Sequence, residues 1–508
     1  MDELRKYVST SALHDTSTRQ GDQTTPCHPN TRRRLLEELA TVLGNAENRV
    51  NWLYGPAGAG KTAIMRSLAS LFAQRGQFVG GFHFWRSDPG RNTLKHFVAT
   101  LAYQLTQTDP STLPIITRAL AQDSLLLEKS TKTQIEKLII EPMLASKADR
   151  SPAESRCIII DGLDECDEDG QREVLEVLLP SLVSQLSSCG ITFFIASRPE
   201  RFIDNLFTHP RLSKSTNRIL LEPSPKDVRE YVVAEFEEIN RCHPKLKKKH
   251  GGQWPKNAQL EHLVEKSSGY FILCVTAMRH INPSILNGRA PDQRLDDVLE
   301  AVSADPLRPL DALYLFILRQ NAPKVPGLLD QWKKSVGLVC MPLDLSDVTS
   351  PWLVFGQNAA SFDQEFAPVI ELWHGVDTST LEELLSGLES LLYFDEETGQ
   401  PKVYHSSFPD FIFNQSRSQE LHMDPAHLHC DLACLIVKTL SFSPLPNCMC
   451  RHSHIQAVLL ISSTRSRSVD GRLQISLGTR IHSRRHTCER NRRHQLATIF
   501  PAFGPLRF

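Results

Sequence analysis

Cysteine is scarce: twelve in 508 residues, too few for a disulfide scaffold. Long apolar runs are missing too. Stretches such as Cys157-Ile158-Ile159-Ile160 and Ile191 to Ala196 fall well short of the ~18 residues a membrane span needs. The first residues, Met1-Asp2-Glu3-Leu4-Arg5-Lys6, hold no apolar core of the secretory kind. Neither sign of charge prevails, since 57 basic and 58 acidic residues leave a formal net charge of −1. No global field therefore favours nucleic acid or a membrane surface. No internal repeat recurs at a fixed period, which argues against a solenoid or propeller array. These deficits leave a soluble, cytoplasmic globular protein without a membrane span.

The composition is ordinary for such a protein, 41% hydrophobic and 23% charged, and the length suits about three domains. Charge is distributed unevenly, however. Residues 451–508 carry eleven arginines, no lysine and two acids, a net of +9 that leaves −10 for the first 450. This tail has neither helical nor strand period and is expected to be disordered. Specific nucleic-acid binding by it is not expected, because no aromatic residues interleave the arginines.

Residues 1–26 read as a polar, flexible lead-in. Between residues 27 and 225, short apolar runs alternate with helical stretches. Strands are predicted at 50–54, 78–85, 156–161, 191–197 and 218–221, and helices at 62–74, 93–107, 134–145, 171–187 and 200–207. Runs such as Thr192-Phe193-Phe194-Ile195-Ala196 are apolar at consecutive positions, so both faces are buried, as in a parallel sheet covered by helices. The expected fold is an open α/β domain. Beyond it, helices are predicted at 227–239, 260–281, 306–318 and 425–440. A basic loop is predicted at 243–257, and a mixed region at 330–413 includes a short strand near Lys402-Val403-Tyr404.

The most specific pattern is Gly55-Pro56-Ala57-Gly58-Ala59-Gly60-Lys61-Thr62, followed by Ala63, which fits G-x-x-x-x-G-K-[ST]. Glycines let successive N–H groups turn inward on phosphates. Lys61 is placed to meet the β- and γ-phosphates, and Thr62 offers its hydroxyl to Mg²⁺. The start of the following helix adds partial positive charge. The expected ligands are ATP or GTP with Mg²⁺.

An apolar strand ending in Asp161 places a carboxylate at the same sheet edge, where it can hold Mg²⁺. Asp164 or Glu165 can orient or deprotonate the attacking water. A further buried strand runs into Ser197-Arg198-Pro199, and Arg198 can reach a γ-phosphate if this strand adjoins the Asp161 strand. Lys61, Asp164, Glu165 and Arg198 are thus the candidate catalytic groups.

Together, Gly55 to Thr62, Asp161-Gly162-Leu163-Asp164-Glu165 and Ser197-Arg198-Pro199 resemble the NACHT NTPases of the STAND class, particularly the fungal NLR-like families. Gly81-Phe82-His83-Phe84-Trp85 looks like that family's second strand, Ser268-Gly269-Tyr270-Phe271 like its helical-domain signature, and Val403-Tyr404-His405-Ser406-Ser407-Phe408 like a later landmark. The resemblance implies a P-loop NTPase with a five-stranded parallel sheet of order 5-1-4-3-2. A small helical domain (226–305), a winged-helix-like domain (306–415) and the start of a further helical domain (416–450) would follow. It also implies that His405 touches the β-phosphate of bound ADP. Two departures from the family are that no signalling domain is recognised ahead of residue 27 and no sensor repeats after 440; a short family member, a truncated copy that binds nucleotide without turnover, or an incorrect gene model would each account for them.

The function so implied is a signalling switch: slow hydrolysis or exchange moves the chain between closed and open, self-associating forms that engage a downstream partner. A metabolic phosphotransferase would need an acceptor-binding lid between the phosphate loop and Asp161, and that insert shows no arginine-rich lid. The cluster His427, His429, Cys430, Cys434, Cys448, Cys450, His452 and His454 could assemble a zinc site, but its first half also reads as an amphipathic helix.

Overall fold

The computed structural model describes residues 1–14, 26–43, 48–146, 155–282, 289–305, 307–341, 378–394 and 401–431. Strands β1 (Val50–Tyr54), β2 (Phe78–His83), β3 (Arg156–Asp161), β4 (Ile191–Ser197) and β5 (Thr216–Leu220) form one sheet in the order β2-β3-β4-β1-β5. All pairings are parallel. Read from the opposite edge, this is the expected 5-1-4-3-2, with helices on both faces: a P-loop NTPase fold.

Every residue of β2, β3 and β4 is buried. Alternation then divides them between two cores. Ile158, Ile160, Phe193 and Ile195 enter one; Cys157, Ile159, Phe194 and Ala196 enter the other, beside Ile64, Leu68 and Phe72 of the helix Lys61–Gln74. Each large side chain so buried contributes about 1.5–3 kcal/mol, which is why these strands read as unbroken apolar runs. The C-terminal ends of β1, β2, β3 and β4 meet along one edge, with His83 opposite Asp161 and Tyr54 opposite Ser197.

The N-terminus differs from the expected flexible lead-in. Asp2–Lys6 form a helix, and Leu4 and Ala12 are buried in the core that holds Phe193. The Ser9 N–H donates to Thr100 Oγ1 at 3.0 Å. So short a helix makes no periodic pattern; docking, not propensity, stabilises it. Residues 15–25 lie outside the described residues.

After β5 the chain is largely helical, with helices Pro225–Cys242, Asn257–Lys266, Phe271–Ile281, Pro291–Ala304, Pro309–Asn321 and Pro326–Cys340. One apolar core runs from Val228 to Leu428. The helix expected over 260–281 is two helices. They break at Ser268 (φ +50°) and Gly269 (φ +79°), where a Cβ on Gly269 would lie 2.9 Å from Pro223, Ser224 and Pro225 atoms. The expected basic loop contains a short helix, Lys245–Lys249, and buries Leu246 and Trp254. Helices Pro291–Ala304 and Pro326–Cys340 were not anticipated as such.

Toward the end of the described chain, the helix Thr378–Leu385, an antiparallel ribbon of β6 (Leu392–Phe394) and β7 (Pro401–Val403), and the helix Ser407–Ile412 join those before them. Helices with a two-stranded ribbon are the ingredients of the winged-helix-like part. Residues 425–431 are helical, as expected. The rest of that stretch and the arginine-rich tail lie outside the described residues. None of the described helices is long and apolar enough to cross a membrane.

Candidate functional site

The phosphate loop leaves β1 at Gly55 and enters the helix Lys61–Gln74 through Gly60. Gly58 sits at φ +72°, and a Cβ there would lie 2.2 Å from Ile272 Cγ2. Both the backbone and this contact therefore require glycine. Lys61 Nζ spans the loop, donating to the Gly55 carbonyl at 2.8 Å and the Pro56 carbonyl at 2.9 Å. No side chain caps this helix, and first-turn N–H groups of this kind bind anions. Burial pushes the Lys61 ammonium below its ordinary value, against the opposing pull of Asp164, Asp161 and Glu165.

Asp161 ends β3, 4% exposed. Its Oδ2 is 2.8 Å from His83 Nδ1. Neither carboxylate oxygen has a hydrogen-bond donor of good geometry. Burial works to raise this carboxyl, but His83, the Thr62 hydroxyl and Lys61 outweigh it and hold it below the usual range. A buried, ionised carboxylate with open lone pairs beside a threonine hydroxyl is a donor set that suits a hard divalent cation.

The next turn divides its two acids between different tasks. Asp164, 2% exposed, accepts the Arg198 backbone N–H at 2.9 Å and lies 3.2 Å from Arg198 Nε. Glu165 accepts only one backbone hydrogen bond of note, from the Arg86 N–H at 3.2 Å. Burial first, and then Asp164, raise the Glu165 carboxyl above its ordinary value, opposed by His83, Arg198 and Ser406. Its environment suits a general base better than that of Asp164.

Arg198 follows β4, which pairs with β3, so the adjacency required of the two strands is present. Its guanidinium also reaches the C-terminal part: Nη2 donates to Ser406 Oγ at 2.9 Å and Nη1 to Asp410 Oδ2 at 2.5 Å. His405 faces the same region. Its Nδ1 accepts the Ser407 N–H at 3.0 Å, which leaves the proton of the neutral ring on Nε2. Burial, then Arg198, Lys61 and Arg279, drive its pKa down to about 3.

These groups share one cavity of about 370 Å³, within the size range of small-molecule sites. The core contributes Ala57, Gly58, Gly60, Lys61, Thr62, Ala63, Asp161, Asp164, Glu165 and Arg198. Tyr231, Phe271, Ile272 and Arg279 close it from the helical part, and His405 and Ser406 from beyond. Of the nominated site residues, Gly55, Pro56 and Ala59 do not line the cavity; the others do. Sequence reasoning missed Arg86, Arg279 and Asp410, and quoted His83 and Ser406 only as parts of longer motifs. For His83 the clue was a polar residue at the C-terminal end of an apolar strand. Among the described residues, no group of three or more His, Cys, Asp or Glu forms a metal cluster; Cys434 and the later zinc candidates lie outside them.

Residues 31–198 match the family model described as Nephrocystin 3, N-terminal, a description that does not name NACHT. Among solved structures, the chain is similar to the Walker-type ATPase PABY2304 of Pyrococcus abyssi, at 13% identity and TM-score 0.38, over 76% of this chain and 97% of that one. It is similar to Cdc6p from Pyrobaculum aerophilum at 13% identity and TM-score 0.30, over 82% and 96%. It is also similar to the Drosophila ORC bound to DNA at 13% identity and TM-score 0.28, over 79% and 87%. No curated protein matches the chain.

Proposed function

We propose that this chain is a nucleotide-controlled switch of the NACHT type, which binds ATP or GTP with Mg²⁺ and hydrolyses it slowly. The observation that carries this reading is one cavity whose walls come from segments far apart in sequence: the phosphate loop on one side, Arg279 and His405 on the other.

Lys61, now bonded to its own loop carbonyls, turns to the β- and γ-phosphates. Thr62 and Asp161 would hold Mg²⁺, which when bound offsets phosphate charge. Glu165 takes a proton from the attacking water, and Arg198 stabilises the charge that develops on the phosphoryl group. Neutral His405 donates from Nε2 to a phosphate oxygen and so links the nucleotide to the winged-helix-like part. Slow turnover fits an arginine shared with Asp410, which has to give up that partner before it can meet the phosphoryl group. Self-association and a downstream signalling partner complete the switch.

The test is nucleotide content and turnover of the purified chain. Tightly retained diphosphate with turnover of minutes or slower is expected, and Lys61→Ala should abolish ligand-induced thermal stabilisation. Fast turnover that depends on a small acceptor molecule would overturn the reading.

A further inference from the structure

Arg198 is held by two carboxylates from different parts of the fold. Asp164, on the turn after β3, grips its backbone N–H and Nε. Asp410, on the helix Ser407–Ile412, takes Nη1, and Ser406 takes Nη2. The second oxygen of Asp410 lies 3.5 Å from Arg86 Nη1. Arg86 is itself fixed to the same acidic turn, since Nη2 donates to the Asp164 carbonyl at 2.9 Å. Asp410 therefore sits between two guanidinium groups of the NTPase core. The Arg198 and Asp410 side chains are only 20% and 24% exposed, so this pair escapes much of the screening that weakens surface ion pairs.

A carboxylate and a terminal phosphate offer arginine the same thing, paired anionic oxygens that match its planar fork. Arg198 lines the cavity with Lys61; Asp410 does not line it. Because Asp164 keeps Nε and the backbone in place, an exchange of partners at Arg198 involves only the two Nη groups.

We propose that Asp410 takes the place of a γ-phosphate at Arg198, so that its carboxylate makes the closed form prefer a nucleoside diphosphate. This rests on the nucleotide-switch reading. A triphosphate has to displace Asp410, because both anions on one guanidinium repel each other; a diphosphate has no terminal group to place there. Displacement frees the helix Ser407–Ile412 from Arg198 and Arg86. The differential contact supplies the bias that a population shift needs. His405 and Ser406, immediately before this helix, transmit the release to the cavity wall.

The test uses the full chain, with ADP and a non-hydrolysable ATP analogue titrated calorimetrically in Mg²⁺. Asp410→Asn and Asp410→Ala should shift the ratio of the two dissociation constants about tenfold toward the triphosphate, with ADP affinity within about threefold of wild type. Ser406→Ala removes one contact at little risk to folding, and should shift the ratio the same way by about two- to threefold. Backbone hydrogen exchange over 407–412 should rise on adding the triphosphate analogue to wild type, and be high in Asp410→Asn without nucleotide. If both nucleotides bind and none of the variants changes the ratio, the proposal is wrong while the switch reading stands. If wild type binds neither nucleotide, both fall.

Discussion

Asp164 spends both carboxylate oxygens on one residue: Oδ1 accepts the Arg198 N–H at 2.9 Å, and Oδ2 lies 3.2 Å from Arg198 Nε. A carboxylate so engaged is a tether. It aims the arginine, and with each of its oxygens already facing a donor it leaves Glu165, the acid beside it, as the better candidate for a base.

The two acids should therefore fail in different ways. Glu165→Gln should lower steady-state phosphate release by about 10²–10³-fold and leave nucleotide affinity within about threefold. Asp164→Ala should cost about 2–4 kcal/mol of stability, because it leaves a half-buried guanidinium without one of its partners. Phosphate-release assays and denaturant unfolding distinguish the two outcomes.

His405 predicts an acid response. Its folded pKa, about 3, lies below the ordinary 6.5, so the unfolded chain binds this proton more tightly. Stability from this group is thus complete above pH 6.5 and falls as pH drops from there toward 3. Between pH 7 and pH 5 the loss should be of order 1–2 kcal/mol. Unfolding measured at both pH values should show a shallower loss in His405→Gln. An equal loss in variant and wild type would assign the response to other groups.

Asp161→Asn should remove most of the Mg²⁺ dependence of triphosphate binding. Chelation of Mg²⁺ should weaken the triphosphate analogue by at least tenfold in wild type and by less than about threefold in the variant. Titrations with and without chelator measure this directly.

Gly58→Ala should weaken nucleotide binding and lower the melting temperature, since the new Cβ meets Ile272 in a backbone region that disfavours side chains. Ile272→Ala in the same chain removes the collision and leaves the backbone strain. It should recover part of the stability, about 1 kcal/mol or more, but not all of it. Thermal unfolding of the single and double variants reports both effects.

Much of the core was legible beforehand because its cues are local. The phosphate loop is written in consecutive residues, and the strands of Ile158 to Ile160 and Thr192 to Ala196 show two-face burial by their unbroken apolarity. The sheet order came from family resemblance and could not have come from periodicity, since nothing in a strand names its neighbour. What stayed hidden depends on partners distant in sequence. Arg86 and Asp410 look like ordinary surface charges until the fold sets Asp410 between Arg86 and Arg198. The docking of residues 1–14 rests on single contacts such as Leu4, which a stretch so short and polar does not advertise. The break at Ser268 and Gly269 was quoted within a motif yet read as continuous helix, because flanking apolar spacing outweighs one glycine.

That break sets which wall of the cavity is held fast. The Ser224 N–H donates to the Gly269 carbonyl at 3.0 Å, and there is no space for even a methyl group between this joint and Pro223 or Pro225. The helix that begins at Phe271 is riveted to the strand exit beside the phosphate loop, and Ile272 rests on Gly58. Loop and helix form a fixed jaw. If a triphosphate claims Arg198 as proposed, the change has to come from the opposite wall, through His405, Ser406 and Asp410, so the grip on the ligand would alter from one side only.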